Sequence, residues 1–205
     1  MKTHQSRRKD GFTLVELLVV IAIIAVLAGA GFAAGNAAIQ KAKKVTALAS
    51  CTALESGVNN FYTEYGTMPN TTAMTQDTKV DTKDDVINFL NPLLGLEPTT
   101  GSPINTRAIK FLNVKEGKLK GATDGINGLV YNASGSTVIG LFDPWGGTYK
   151  VMLDGDYDEK LTSVKPKGGT SVTLNGRRAA AWSDGADGAT KGSTGKATDD
   201  VANWK

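Results

Sequence analysis

From Leu17 to Ala34 no polar side chain interrupts the chain, and from Phe12 to Gly35 only Thr13 and Glu16 do. A helix over Phe12–Gly35 would be about 36 Å long, enough to cross a hydrocarbon core of about 30 Å. Helical patterning continues beyond it: Val45, Leu48, Thr52, Val58, Phe61 and Tyr65 form an expected apolar seam, with Gln40, Lys43, Lys44, Glu55 and Glu64 on other faces. Gly66, suited to the left-handed position after a helix, and Pro69 mark the end. The pattern therefore predicts one helix from Phe12 to Tyr65, about 80 Å long if unbroken. Gly29, Gly31 and Gly35 each cost roughly 1 kcal/mol relative to alanine, so local loosening is expected there.

Past Gly66 the pattern shortens to β-branched and aromatic runs between turns, and 15 of the 24 glycines follow Lys120. Strands are predicted at Ala108–Val114, Gly128–Asn132, Thr137–Phe142, Thr148–Leu153, Ser171–Leu174 and Ala179–Ser183. A short helix is predicted at Asp84–Leu90, closed by Asn91-Pro92. The expected fold class is α+β: a long N-terminal α-helix, its first part a membrane-spanning stem, packed on a small antiparallel β-sheet head. The divisions are 1–11 (a basic leader), 12–36 (the apolar half-helix), 37–65 (the amphipathic half) and 66–205 (the head).

The chain has 205 residues, 40% apolar and 21% charged, an ordinary globular composition. Its one cysteine, Cys51, precludes an intrachain disulfide, and its one histidine, His4, lies in the leader. Ser-His-Asp and Cys-His hydrolases, histidine-ligated zinc peptidases and haem proteins are thereby excluded. Lys2, Arg7, Arg8 and Lys9, against Asp10, account for the formal charge of +3, because from Phe12 onward 19 basic residues balance 19 acidic ones. A folded part without basic excess argues against nucleic acid as a partner. No Asp/Glu pair sits in a recognisable cleft motif, so no enzyme activity is expected.

A basic start, an apolar run and the triplet Ala28-Gly29-Ala30 are also compatible with a secretory signal peptide that frees a binding module. Glu16 argues otherwise, because an ionisable group in such a run costs about 2.5 kcal/mol or more and is kept for a task. The sequence Gly11-Phe12-Thr13-Leu14-Val15-Glu16, between the basic leader and the apolar run, resembles the class III signal of type IV pilins and pseudopilins. The resemblance implies that prepilin peptidase cuts between Gly11 and Phe12 and methylates the new terminus. Glu16 then becomes the fifth mature residue, paired during assembly with the free amine of a neighbour's Phe12.

The head carries three further signals. Asp143-Pro144-Trp145-Gly146-Gly147 reads as a turn between strands. Asp154-Gly155-Asp156-Tyr157-Asp158 alternates acids like a calcium loop, but Glu159 replaces the sixth-position glycine and Lys165 the twelfth-position glutamate, so it reads as a solvated acidic hairpin rather than an EF-hand. The C-terminal stretch places Asp187, Asp199 and Asp200 among glycine-rich turns, a pattern suited to a hard cation that wants six to eight oxygens.

The Asp-Pro-Trp-Gly turn, the segment from Ser183 to Gly188 and the terminal Asp199-Asp200-x-x-Asn203-Trp204 together are similar to the major pseudopilin of type II secretion systems. The resemblance implies structural Ca²⁺ on Asp187, Asp199 and Asp200, with the carbonyl of Asp184 a further ligand. It implies a single-pass inner-membrane protein with a periplasmic head, assembled as a helical homo-oligomer into a pseudopilus that drives protein secretion. Its implied partners are prepilin peptidase, the inner-membrane assembly platform and minor pseudopilins, with the membrane as host before assembly. A type IV pilin or DNA-uptake subunit is the alternative; it would ordinarily bring a C-terminal cysteine pair, which this chain lacks.

Overall fold

The computed structural model describes residues 12–97, 102–166, 170–188 and 200–204. Helix α1, Leu14–Tyr65, is unbroken through Gly29, Gly31 and Gly35. It ends as expected at Gly66, whose φ of 69° is left-handed and whose N–H donates to the Tyr62 carbonyl at 2.8 Å. The chain divides into two compact units, Met1–Ala42 and Lys43–Lys205.

Within the second unit α1 buries Ala47, Cys51, Leu54, Val58 and Phe61 completely. These positions recur at steps of four and three, as one face of a helix must. The expected face holds at Val58 and Phe61 but not in the turns before them: Val45 is 67% and Leu48 42% exposed, and Thr52 is exposed too. Small side chains at Ala47, Ser50 and Cys51 form the buried stripe, because they let strands approach the helix closely. Selecting large aliphatics by size selected the neighbouring face.

The facing sheet has strands β1 (Thr78–Asp81), β6 (Tyr149–Leu153), β9 (Ala179–Ser183) and β10 (Val201–Ala202), in the order β1-β6-β9-β10, all antiparallel. Three hairpins complete the head: β2 (Lys118–Lys120) with β3 (Asp124–Ile126), β4 (Gly128–Tyr131) with β5 (Val138–Phe142), and β7 (Lys160–Val164) with β8 (Val172–Asn175). Two-residue alternation along β9 divides the interior: Ala179 and Ala181 join the helix-side core, while Ala180 and Trp182 join a second cluster with Met152, Leu161, Val164 and Ala202. Trp182 meets Trp204 edge-on there, with centroids 5.7 Å apart. The sheet is thus covered on both faces, which explains why β9 reads as an unbroken apolar run rather than an alternating one.

Two expected elements are corrected. Ala108–Val114 is not a strand: Phe111 and Leu112 both donate to the Leu93 carbonyl, Leu112 is fully buried, and Ala108 adopts φ 50°. Its apolar side chains fill the core without a ladder. The short helix is a π turn, Val86–Leu90, and instead of closing at Asn91-Pro92 it runs into α2, Asn91–Leu94, where Pro92 occupies the first turn. Proline is harmless there because that N–H has no helical acceptor. Gly95 ends α2 with φ 68°, and a Cβ on it would lie 2.6 Å from the Ala108 carbonyl oxygen. Strands β1, β2, β3, β7 and β10 were not signalled by the pattern, being two to five residues long, with β1, β2 and β3 rich in lysine, aspartate or glycine.

One buried polar node ties β1 to β6. The Asp81 carboxylate accepts from the Lys83 N–H at 2.8 Å, the Thr148 hydroxyl at 2.9 Å and the Lys150 ammonium. Burial pushes its pKa up, but the bonds from Lys150, Lys83 and Thr148 outweigh burial and leave it below its ordinary 3.8. A depressed folded pKa gives stability that is complete above the ordinary carboxylate range and is lost as pH falls through the folded value. Asp81→Asn should cost about 1–3 kcal/mol at neutral pH and flatten the acid-side loss of stability, measured as unfolding midpoint against pH. The helix face has its own check: Leu54→Ala should cost about 2–5 kcal/mol, whereas Val45→Ala on the exposed face should stay within about 0.5 kcal/mol, both read from denaturant unfolding of the full chain.

Candidate functional site

At the N-terminal end the geometry is a reciprocal cap. The Thr13 hydroxyl accepts the Glu16 N–H at 3.3 Å, while Glu16 Oε2 accepts the Thr13 N–H at 2.9 Å and the Thr13 hydroxyl at 2.8 Å. This Thr-x-x-Glu box satisfies donors that the first helical turn otherwise leaves open. Within one chain Glu16 is therefore occupied by its own helix end, and its carboxylate also suits the positive pole there. Phe12 stands exposed just ahead of the cap, whereas Gly11 lies outside the described residues.

Beyond the cap the large apolar side chains on α1 whose burial is described, from Leu14 through Ile39, are all exposed. By length and composition this is the one described helix able to cross a membrane. A continuous apolar surface of this extent far exceeds what a soluble monomer tolerates. It is consistent with anchoring in a membrane.

Of the C-terminal acids, Asp184 and Asp200 lie at the end of the β9–β10 ladder. Val201 pairs with Ser183, so the antiparallel register carries Asp200 opposite Asp184. Asp200 is 8% exposed, and Asp184 Oδ1 accepts the Trp182 indole N–H at 3.1 Å. Asp187 stands in α3, the single turn Gly185–Gly188, and Asp199 lies outside the described residues. The described acids here, Asp184 and Asp200, offer carboxylate oxygens, hard donors of the class that Ca²⁺ takes.

Asp143 fixes this segment, a role that reading its motif as a simple turn had missed. Its Oδ1 accepts the N–H groups of Trp145, Gly146 and Gly147 at 2.8–2.9 Å, and its Oδ2 accepts the Ser183 hydroxyl at 2.6 Å. Ser183 Oγ in turn accepts the Gly185 N–H at 3.1 Å, so the turn and the start of α3 are joined through one buried hydroxyl. Burial pushes the Asp143 carboxyl up, against the pull of those four donors. A Cβ on Gly147 would come within 2.9 Å of Asp143 Oδ2, which accounts for the glycine. Farther along β10, Asn203 donates to Glu55 on α1 at 2.7 Å, and Arg177 pairs with the same carboxylate at 3.0 Å. The local turn was legible from Asp-Pro-x-Gly-Gly; the partner Ser183, forty residues away, carried no sequence signal.

The acidic hairpin differs from the solvated one expected. Asp154 is 1% exposed, and its carboxylate accepts the Asp158 and Glu159 N–H groups at 3.2 and 2.9 Å. Burial, with a contribution from neighbouring Asp156, pushes its pKa up. Asp77, which nothing in the sequence singled out, comes alongside.

Residues 6–32 match the family model described as the prokaryotic N-terminal methylation motif. No curated protein and no solved structure matches the chain. The chain thus carries a prepilin-type signal over 27 of its 205 residues, which implies processing by prepilin peptidase and filament assembly in general.

Proposed function

We propose that this chain is the structural subunit of a type II secretion pseudopilus. The observation that carries the reading is the exposed apolar half of α1, opened by a Thr13–Glu16 cap and overlapped by the methylation motif. Such a surface has two stable homes, a bilayer and a bundle of identical helices, and a filament subunit uses them in turn. Prepilin peptidase cuts between Gly11 and Phe12, with Lys2, Arg7, Arg8 and Lys9 holding the leader inside. The head stands in the periplasm.

On extraction from the bilayer, Glu16 exchanges its own Thr13 donors for the charged amine of a neighbour's Phe12. That exchange is favourable because an ion pair replaces bonds from uncharged donors to the carboxylate in an apolar setting. A heterologous contact that does not close generates a helix of subunits. Within the head, the reading assigns Ca²⁺ to Asp187, Asp199, Asp200 and the carbonyl of Asp184, where it fixes a C-terminus that no disulfide can hold. Secretion rather than pilus display is supported by the Asp143-Pro-Trp-Gly turn, the Ser183–Gly188 segment and the terminal Asp-Asp-x-x-Asn-Trp.

Deleting the gene should leave exoproteins in the periplasm, and the intact chain should rescue them while Glu16→Ala, still cleaved, does not. Normal secretion with lost surface pili or DNA uptake would move the chain to the pilin branch, and normal filaments from Glu16→Ala would remove the assembly role. Asp187→Ala should weaken calorimetric Ca²⁺ binding by the full chain in detergent by at least about tenfold, the scale on which even indirect ligand contacts act.

A further inference from the structure

Two segments run along the head half of α1 and fix what stands at each of its ends. Strand β6 starts at Tyr149, whose hydroxyl bonds the Ser50 side chain, and the turn after it brings Tyr157 to Tyr62, with ring centroids 6.1 Å apart. Residues 109–115 run the opposite way. Asn105 Oδ1 accepts both the Ile109 N–H and the Tyr65 hydroxyl, Phe111 meets Phe61 edge-on, and Asn113, Val114 and Lys115 line one cleft with Thr46, Ser50 and Ala53. From Ser50 to Tyr62 the helix rises about 18 Å.

Lysines are exposed at the Ser50 end. Lys115 lies there, and the β2–β3 hairpin that follows is anchored to the same end by the Lys83–Asp124 ion pair, Lys83 standing next to Thr82, whose hydroxyl accepts the Tyr149 N–H at 3.0 Å. Lys118 and Lys120 alternate along β2 onto one face of it, both exposed. Asp124, opposite Lys120 in the ladder, is engaged by Lys83. Lys115, Lys118 and Lys120 take part in none of the ion pairs among the described residues.

Beside Tyr62 the turn after β6 is acidic, and it is held from within. Buried Asp154 accepts the Asp158 and Glu159 N–H groups, and the Tyr157 hydroxyl accepts the Met68 N–H at 3.4 Å. Asp156 and Asp158, on either side of Tyr157, are thereby fixed in place and exposed. Glu159 pairs with Arg178, whereas Asp156 and Asp158 are in no ion pair among the described residues.

We infer that Lys115, Lys118 and Lys120 of one copy dock on Asp156 and Asp158 of a second copy. The inference rests on the filament reading above and names the contact between heads. The two patches have opposite sign and stand at opposite ends of β6, so they cannot meet within one chain. Stems inserted in one bilayer point the same way, which rules out an antiparallel pair that would match both ends at once. Each head therefore meets the next head to tail, a heterologous contact that does not close. Exposed charges of this kind set orientation and register more than affinity, which the apolar half of α1 supplies.

The test is assembly of the full chain in cells, read as the yield of sheared filaments. The variants are Lys118→Glu with Lys120→Glu, Asp156→Lys with Asp158→Lys, and all four together, with unchanged unfolding midpoints as the check that each head folds. Each double reversal should lower the yield about tenfold or more, and the fourfold variant should recover it because the signs match again. A second readout is Lys118→Cys with Asp156→Cys, oxidised in the filament: it should give a ladder of multimers, and neither single variant should, since Cys51 is buried. Full yield from both double reversals, no recovery in the fourfold variant, or cross-linked dimers that go no further would overturn the contact and leave Lys118 and Lys120 as guards of an open strand edge. Filaments from every variant would still leave the filament reading standing, whereas none from the unaltered chain would overturn both.

Discussion

Helix α1 faces two incompatible demands, and the rest of the molecule follows from how they are divided. Its first half carries large apolar side chains on every face, so no single sheet could bury it; its second half carries one apolar stripe, which a sheet can. The head is built for the stripe alone. Ala47, Ser50 and Cys51 keep the helix thin where strands approach, and Leu54, Val58 and Phe61 then supply the bulk that meets Leu112, Leu141 and Leu153. Exposure of the first half is therefore a consequence of composition rather than of missing structure. Assembly meets that demand from outside the chain.

Holding the C-terminal strand is the second problem, since β10 has only two residues and little ladder of its own. The solution is distributed over side chains. Cys51 Sγ lies 3.9 Å from the Val201 carbonyl, Glu55 receives Asn203, and Asn203 Oδ1 accepts the Ala181 N–H at 3.2 Å. Burial pushes the Cys51 thiol far above its ordinary range, so it behaves as a small apolar side chain rather than a nucleophile. The Asp143–Ser183–Gly185 chain then fixes where β9 turns into α3. The acids of the terminal segment are presented by a frame that is already rigid up to Ser183.

What the sequence disclosed follows from the range of each interaction. The helix and its end were readable because 3.6-residue periodicity and Gly66 act locally, and β4, β5, β6, β8 and β9 were readable because β-branched or apolar runs between glycines act locally too. Seam assignment failed at Val45 and Leu48 because size, not polarity alone, decides which face a sheet can approach. Ala108–Val114 failed because burial and strand pairing leave the same apolar trace. The prepilin-type signal with its Glu16 was legible from a compact motif, whereas Asp143's tie to Ser183 and Asp77's approach to Asp154 depend on register between distant segments. No local pattern encodes register.

Three acid nodes at strand ends show how the head tolerates buried carboxylates, and their differences are informative. Asp81 has a cation beside it in Lys150 and a pKa drawn down accordingly. Asp143 has no cation among its hydrogen-bond donors but uses four hydrogen bonds, which satisfy both oxygens. Asp154 and Asp77 share a third node in which one oxygen is enclosed without a donor and a third carboxylate adds repulsion. In the same fold the first two nodes are closed by protein groups alone. At the third, protein donors reach both Asp154 oxygens and Asp77 Oδ2, and Asp77 Oδ1 is left enclosed without one, so the rest of the fold carries the desolvation cost of that oxygen.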